Sequence, residues 1–242
     1  MPSFMRCCSG ALIVRRLLLG TAVFLFCLAG IITRPHLDLA ALWPANAFML
    51  GMFLRFPRLA SPLSWISCAS GYLLADALTG ADALTNIVLN GANLLSVATG
   101  YWVLTQRPNT SRSLHDPESM LYFLWAIIAA SFAAGLAGIA IHPLIFGGGW
   151  TEGFFFWSTT ELVNYIALLP MVLTMPAIGW PKRDSRKKKA LFRTGWSKIM
   201  PALTLIVSVV AGAIVGGPGA IAFPVPALLW CALIYGVFTT AV

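Results

Sequence analysis

Long apolar stretches separated by short polar segments run through the chain from residue 17 to its end. A helix needs about 20 mostly apolar residues to cross the hydrocarbon core of a bilayer. By this measure the pattern predicts eight spans, at residues 17–33, 39–54, 61–78, 84–104, 120–146, 154–178, 199–215 and 219–242. The second is short and has Trp43-Pro44 near its start, so we expect it to be broken or shallow. The predicted fold class is an all-α polytopic transmembrane helix bundle.

The first apolar run also admits another interpretation, a cleaved secretory signal peptide. Arg6 and the pair Arg15-Arg16 precede it, as basic residues precede such signals. However, the run is followed by Thr33-Arg34-Pro35-His36, and no small-residue cleavage site of the A-x-A type is present. We therefore expect a retained first span that also acts as a signal anchor.

Composition supports the membrane interpretation and excludes an ordinary soluble domain. The 242 residues are 59% hydrophobic and only 10% charged, whereas soluble domains carry roughly a quarter charged residues. A water-exposed surface cannot be this apolar, but a lipid-facing one should be. We expect residues 1–242 to form a single integral membrane domain whose main partner is the lipid bilayer.

The distribution of basic residues predicts the orientation of the spans. Cytoplasmic segments of membrane proteins carry an excess of Lys and Arg. With a cytoplasmic N-terminus and eight alternating spans, fifteen of the sixteen basic residues fall on inner segments, and only Arg34 lies outside. Asp38, Asp76, Asp82 and Glu152 fall on outer loops or at the outer ends of spans. The sequence thus predicts a multi-pass membrane protein with a cytoplasmic N-terminus.

The net charge of +8 admits a nucleic-acid interpretation, which the arrangement of the spans disfavours. The densest basic run, residues 182–189, lies between the sixth and seventh predicted spans. There it acts as a topology determinant, attracted by anionic headgroups. No nucleic-acid partner is predicted.

The sequence contains no constellation that predicts catalysis, a metal site or a cofactor. His36, His115 and His142 are scattered over three different segments, and none lies beside a Ser or Cys as a base would. Cys7 and Cys8 have no second Cys or His pair at ligand spacing. We expect this segment to be non-enzymatic by itself.

Three asparagines place a polar strip on the fourth span. Asn86, Asn90 and Asn93 are spaced i, i+4 and i+7, which brings them to one helical face. The strip either lines a ligand pocket or holds the bundle together through interhelical hydrogen bonds. We expect it to point into the bundle, towards the sixth span.

Of all residues in the predicted spans, Glu161 is the one whose placement in a membrane costs the most free energy. It lies nine residues beyond Glu152, about 13 Å along a helix. A carboxyl at that depth must be paired, hydrated or neutral, and Asn164 shares its helical face. Both a binding or sensing role and a purely structural role remain open.

The fifth span and the segment after it predict packing rather than chemistry. Ala130, Ala134 and Gly138 recur every four residues, which allows another helix to approach closely. Residues 147–149, Gly-Gly-Gly, lack the Lys-Ser/Thr of a phosphate loop, so we expect a turn.

Three stretches resemble a bacterial input module, the membrane-associated sensor domain of the first described type (MASE). They are Leu42-Trp43-Pro44-Ala45-Asn46-Ala47, then Asn90-Gly91-Ala92-Asn93, and then Trp157-Ser158-Thr159-Thr160-Glu161 continuing to Pro170. Pro226-Ala227-Leu228-Leu229-Trp230 and Tyr235-Gly236 resemble the family's last span, so the resemblance extends over residues 38–242. Asn93 stands where the family has a Glu, and Asn164 where it often has Gly.

The resemblance implies a membrane sensory domain that relays a stimulus to a histidine kinase, diguanylate cyclase or phosphodiesterase output. No such output is present in the sequence, which ends at Val242 and looks like a partial input domain. By analogy the resemblance also implies a homodimer or a signalling partner. The residues that the sequence and the resemblance suggest for sensing are Glu161, Asn164, Asn90, Asn93, Asn86, Trp43, Asn46 and Trp157.

An alternative function from another class is a small transporter, or the substrate-binding subunit of one. In that case Glu161 and the asparagines would line the translocation path, and Pro44 and Pro170 would mark broken helices. The sequence shows no convincing internal repeat, which weighs against it.

Overall fold

A computed structural model describes residues 2–32, 43–107, 117–175 and 195–215, together with residues 224, 227–228 and 230–231. In these ranges the chain is helical, without strands, as the sequence predicts. The α-helices are α1 (Pro2–Ile32), α2 (Pro44–Arg55), α3 (Pro62–Leu78), α4 (Ala83–Thr105), α5 (Pro117–Ile141), α6 (Trp150–Thr174) and α7 (Gly195–Val215). A 3-10 turn, Pro57–Leu59, precedes α3, and a π-helical turn, His142–Phe146, continues α5.

The chain divides into two compact units, Met1–Leu173 and Thr174–Val242. The first contains the helices from α1 to α6. The described part of the second is mainly α7, whose segment Ile199–Ala211 is apolar. Most of the predicted eighth span and the whole basic run 182–189 lie outside the described residues.

Four helices in the described ranges are long and apolar enough to cross a membrane. They are Gly10–Ile32, Ala83–Thr105, Glu118–Phe146 and Trp150–Thr174. With 17 residues, α3 reaches about 25 Å, just short of the roughly 30 Å hydrocarbon core. The protein is therefore a membrane protein, while the count of eight spans stays a prediction.

Helix α2, the predicted short second span, is enclosed by other helices. Its 12 residues extend about 18 Å, too short to cross a bilayer alone. Met49, Leu50 and Phe53 are completely buried, and the Phe53 ring contacts those of Trp65 and Tyr101. Because α2 is covered on nearly all sides, a polar residue on it meets protein rather than lipid.

The structure extends one helix beyond its predicted span and contradicts one predicted helix break. Helix α1 begins at Pro2, well before the predicted span at residue 17, because a helix can extend beyond the apolar run that predicts a span. Helix α6 runs through Pro170 to Thr174, which contradicts the break that the transporter alternative places there, whereas Pro44 does start α2.

Glycines allow two pairs of helices to approach closely. On α3, a Cβ atom at Gly71 would lie 2.6 Å from the carbonyl oxygen of Gly20 on α1. Between α5 and α6, a Cβ at Gly138 would lie 2.6 Å from the Trp157 ring and 2.7 Å from the carbonyl oxygen of Gly153. The small-residue face of α5 therefore packs against a neighbouring helix, as predicted.

Arginines gather at one end of the first unit, which we call the basic end. Arg16 on α1 donates to the carbonyl oxygen of Arg58, just before α3. Arg55, the last residue of α2, donates to the carbonyl oxygens of Val172 and Leu173 near the end of α6. The Phe53–Tyr101 ring contact brings the end of α4 to the same level. These helices therefore alternate in direction, with even-numbered ones ending at the basic end.

The opposite end contains two turns with left-handed glycines. Gly80, between α3 and α4, has φ of 91°, and Gly147, after α5, has φ of 71°. Residues that carry a Cβ atom rarely adopt this backbone conformation, so glycine suits both turns. The predicted turn at residues 147–149 is confirmed.

Candidate functional site

Asn46, on the first turn of α2, joins three helices through its side chain. Its Nδ2 atom donates to Glu161 Oε1 at 2.7 Å and to Asn93 Oδ1 at 3.0 Å. Its Oδ1 atom accepts a hydrogen bond from the Tyr72 hydroxyl at 2.6 Å. With 1% exposure, Asn46 is the central connection of a buried polar network.

The start of α2 is fixed to α6 by a second contact. The backbone N–H of Trp43, immediately before Pro44, donates to Asn164 Oδ1 at 3.0 Å. The first turn of a helix leaves N–H groups without intrahelical partners. Asn164 serves here as a partner for this chain segment, and its own Nδ2 donates to the carbonyl oxygen of Thr160.

Glu161 lies at the meeting point of α2, α4 and α6. Besides Asn46, the Ser96 hydroxyl donates to its Oε1 at 2.9 Å, and the Ser96 and Tyr165 hydroxyls are 3.0 Å apart. The Glu161 side chain is buried. All these hydrogen-bonding groups are uncharged, so amide and hydroxyl dipoles solvate this carboxyl in place of water.

A second carboxyl, that of Asp76 on α3, belongs to the same network. Asn90 Nδ2 donates to Asp76 Oδ2 at 2.7 Å and also lies 2.9 Å from Oδ1 of Asn86. Asn86 in turn donates to the carbonyl oxygen of Leu73 on α3. Hydrogen bonds from Asn93 to Asn90 and from Asn46 to Asn93 complete a path between the two carboxyl groups.

The structure brings together all but one of the residues that the sequence singled out. The hydrogen-bonded network contains Glu161, Asn86, Asn90, Asn93 and Asn46, while Trp43 and Asn164 form a separate pair between the same α2 and α6. The asparagine face of α4 points into the bundle, as expected, but its hydrogen bonds reach α3 and α2 rather than α6. Trp157 instead packs against the cluster formed by Leu89, Ala92 and Ile141, and its buried Nε1 atom has no hydrogen-bond partner among the described residues. A role of any of these residues in sensing stays a prediction.

Four members of the network were not predicted from the sequence: Tyr72, Asp76, Ser96 and Tyr165. A signal for them exists in helical spacing. Tyr72 and Asp76 are four residues apart, as are Glu161 and Tyr165, and Ser96 follows Asn93 by three. Pairs at these spacings share a helical face. The sequence places Asp76 only at the outer end of its span, whereas in the structure its side chain is buried, with 2% exposure.

The network offers uncharged hydrogen-bonding groups and two ionisable carboxyl groups. Across the described ranges, no group of three or more His, Cys, Asp or Glu side chains is placed to hold a metal ion. Two carboxyl groups joined by amides and hydroxyls form a unit in which breaking one contact disturbs the next.

Comparison with known proteins finds sequence similarity to probable diguanylate cyclases. The chain is 27% identical over 202 residues to the probable diguanylate cyclase DgcF of Escherichia coli O157:H7, a match that covers 82% of this chain and 40% of that protein. It is 37% identical over 79 residues to the probable diguanylate cyclase DgcF of Escherichia coli strain K12, covering 33% of this chain and 22% of the relative.

The matches cover less than half the length of either relative. No protein-family model matches the chain, and no solved structure does. The chain is thus a helical membrane protein that is similar to probable diguanylate cyclases.

Proposed function

We propose that this chain is a sensory input module of the MASE type that controls a diguanylate cyclase output. The observation that carries the proposal is the similarity to a probable diguanylate cyclase over 82% of this chain. Because the match spans only 40% of that relative, a cyclase output would lie outside the matched region. The four long apolar helices support a position of the module in the membrane.

We further propose that the membrane is the bacterial inner membrane and that the chain crosses it about eight times. Its N-terminus would be cytoplasmic. The alternating helix directions and the arginines at the basic end support this orientation, because basic residues favour the cytoplasmic side. In this orientation Asp76 and Asp82 would lie towards the periplasm.

The sensing element that we propose is the buried polar network around Glu161. A stimulus that changes the charge or hydrogen bonding of Glu161 would act at once on α2 and α4, through Asn46 and Ser96. Helix α2 also reaches the basic end, where Arg55 holds the end of α6. A rearrangement at Asn46 would therefore be transmitted along α2 to the basic end, on the side where an output domain would act.

The test separates charge from shape at Glu161 in a fusion of this chain to a diguanylate cyclase domain. Glutamine preserves the size and hydrogen-bonding capacity of the side chain but cannot be ionised. We expect Glu161→Gln to fold, as judged by its thermal stability, and to abolish the change in cyclic di-GMP synthesis between stimulating and non-stimulating conditions.

Normal signalling by Glu161→Gln would restrict this carboxyl to a structural role. In that case Glu161→Leu should lower the free energy of unfolding by about 1–3 kcal/mol for each buried group left unpaired. Substrate uptake into proteoliposomes without any effect on a fused cyclase would favour the transporter alternative.

A further inference from the structure

Two arginines from separate elements share a corner of the basic end. Arg16 lies on α1, and Arg58 lies in the 3-10 turn between α2 and α3. They are joined by a hydrogen bond of 3.5 Å from Arg16 Nη2 to the carbonyl oxygen of Arg58. Among the described residues, neither forms an ion pair with an acidic side chain. The described residues therefore supply no acidic side chain that compensates the positive charge of this corner.

The donors of Arg16 are largely unused within the part of the chain that the structure describes. A guanidinium group has five N–H donors. For Arg16 the described part of the chain records one hydrogen bond, the long one to Arg58, and its Nε atom is buried without a partner. Arg107 at the same end differs, because its Nη1 lies 2.7 Å from Glu118 Oε1. Arg16 is thus equipped to bind an anion in a way that Arg107 is not.

The position of Arg16 along α1 indicates which kind of anion it can bind. From Arg16 to Ile32, the last residue of α1, the helix extends about 24 Å, close to the thickness of the hydrocarbon core of about 30 Å. Ile13 and Leu17, on either side of Arg16, are 44% and 50% exposed. A ligand at Arg16 therefore lies where hydrocarbon meets headgroups and shares its surroundings with acyl chains.

We propose that Arg16 and Arg58 form a binding site for the phosphate group of an anionic phospholipid. Arginine suits this ligand because its planar group donates two parallel hydrogen bonds to phosphate. The acyl chains would lie along the exposed apolar side of α1. The bound lipid would connect α1 to the turn before α3 and so stabilise the first unit. This site rests on the membrane position of the chain and is independent of the proposed signalling function.

The experiment uses the full chain in nanodiscs of phosphatidylcholine with increasing fractions of phosphatidylglycerol. The melting temperature at each composition gives the fraction of phosphatidylglycerol that half-saturates the stabilisation. The variants are Arg16→Gln, Arg58→Gln and, as the matched control, Arg15→Gln. Arg15 is exposed, adjacent on the same helix, and carries the same charge. Melting in pure phosphatidylcholine verifies that each variant folds.

We expect Arg16→Gln and Arg58→Gln each to raise the half-saturating fraction about tenfold or more. Arg15→Gln should raise this fraction no more than about fivefold. That is the effect expected when one basic residue loses its general attraction to an anionic membrane surface. Equal shifts for Arg15→Gln and Arg16→Gln would mean diffuse attraction and overturn the site. Equal stabilisation by inorganic phosphate in phosphatidylcholine nanodiscs would overturn the assignment to a lipid.

Discussion

At the scale of single residues, Asn46 forms more of the connections in the buried polar network than any asparagine would be expected to form from its residue type alone. One amide group supplies the donors for Glu161 and Asn93 and the acceptor for Tyr72. Nothing in the sequence near residue 46 distinguishes this asparagine from those on α4, since its importance comes from the three helices that surround it. The sequence therefore predicts Asn46 as a candidate sensing residue, but it does not predict its central position in the network.

Replacing Asn46 should be more disruptive than replacing another asparagine of the network. Asn46→Ala removes partners from three groups, and each buried group left unpaired costs about 1–3 kcal/mol. We expect a loss of about 3 kcal/mol in the free energy of unfolding. Asn93→Ala, at a half-buried position, should cost about 1 kcal/mol. Equilibrium unfolding in mixed micelles measures both, and equal losses would contradict the central position of Asn46.

At the scale of helices, the close contact between α1 and α3 can be tested with a matched pair of glycines. A Cβ at Gly71 would meet the backbone of α1, whereas one at exposed Gly91 on α4 meets nothing within 4 Å. We expect Gly71→Ala to destabilise the protein by about 1–3 kcal/mol through overpacking. Gly91→Ala should stabilise it by about 0.5–1 kcal/mol, because alanine favours helices. Stabilisation by both changes would show that α1 and α3 are not in close contact.

The start of α4 should show a pH dependence caused by its N-cap, Asp82. Hydrogen bonds lower the pKa of Asp82 below its ordinary value of 3.8. The largest effect comes from the Thr85 side chain, and smaller ones come from the backbone N–H groups of Thr85 and Leu84. A lowered pKa means that the folded state favours the charged carboxylate. Its stabilising effect is therefore complete above the ordinary value and is lost as the pH falls through the lowered one.

Melting temperatures between pH 7 and pH 3 test this dependence. Asp82→Ala should melt below the wild type at pH 7, and the difference should shrink as the pH falls below about 3.8. Asp82→Asn is the control, because asparagine also caps helices but does not titrate. A wild-type advantage over Asp82→Ala that is unchanged at pH 3 would argue against a charged cap.

At the scale of the whole molecule, the orientation in the membrane is the principal prediction. Reporter fusions at Gly80 and Gly149 should report a periplasmic location, because the turns that contain these residues lie opposite the basic end. A fusion at Gly217 should also be periplasmic and one at Lys188 cytoplasmic, although both positions lie outside the described residues. A cytoplasmic signal at Gly149 would contradict the alternating arrangement.

The sequence by itself determined the helical class, the membrane environment and the polar face of α4. These follow from hydrophobicity and helical spacing, which are local and act residue by residue. It did not determine that α2 is enclosed, that Asp76 joins the network, or that Tyr72, Ser96 and Tyr165 complete it. These depend on which helices become neighbours, and hence on packing across long sequence separations. Asn46 and Glu161, 115 residues apart in the chain, are in contact only because tertiary structure places α2 beside α6.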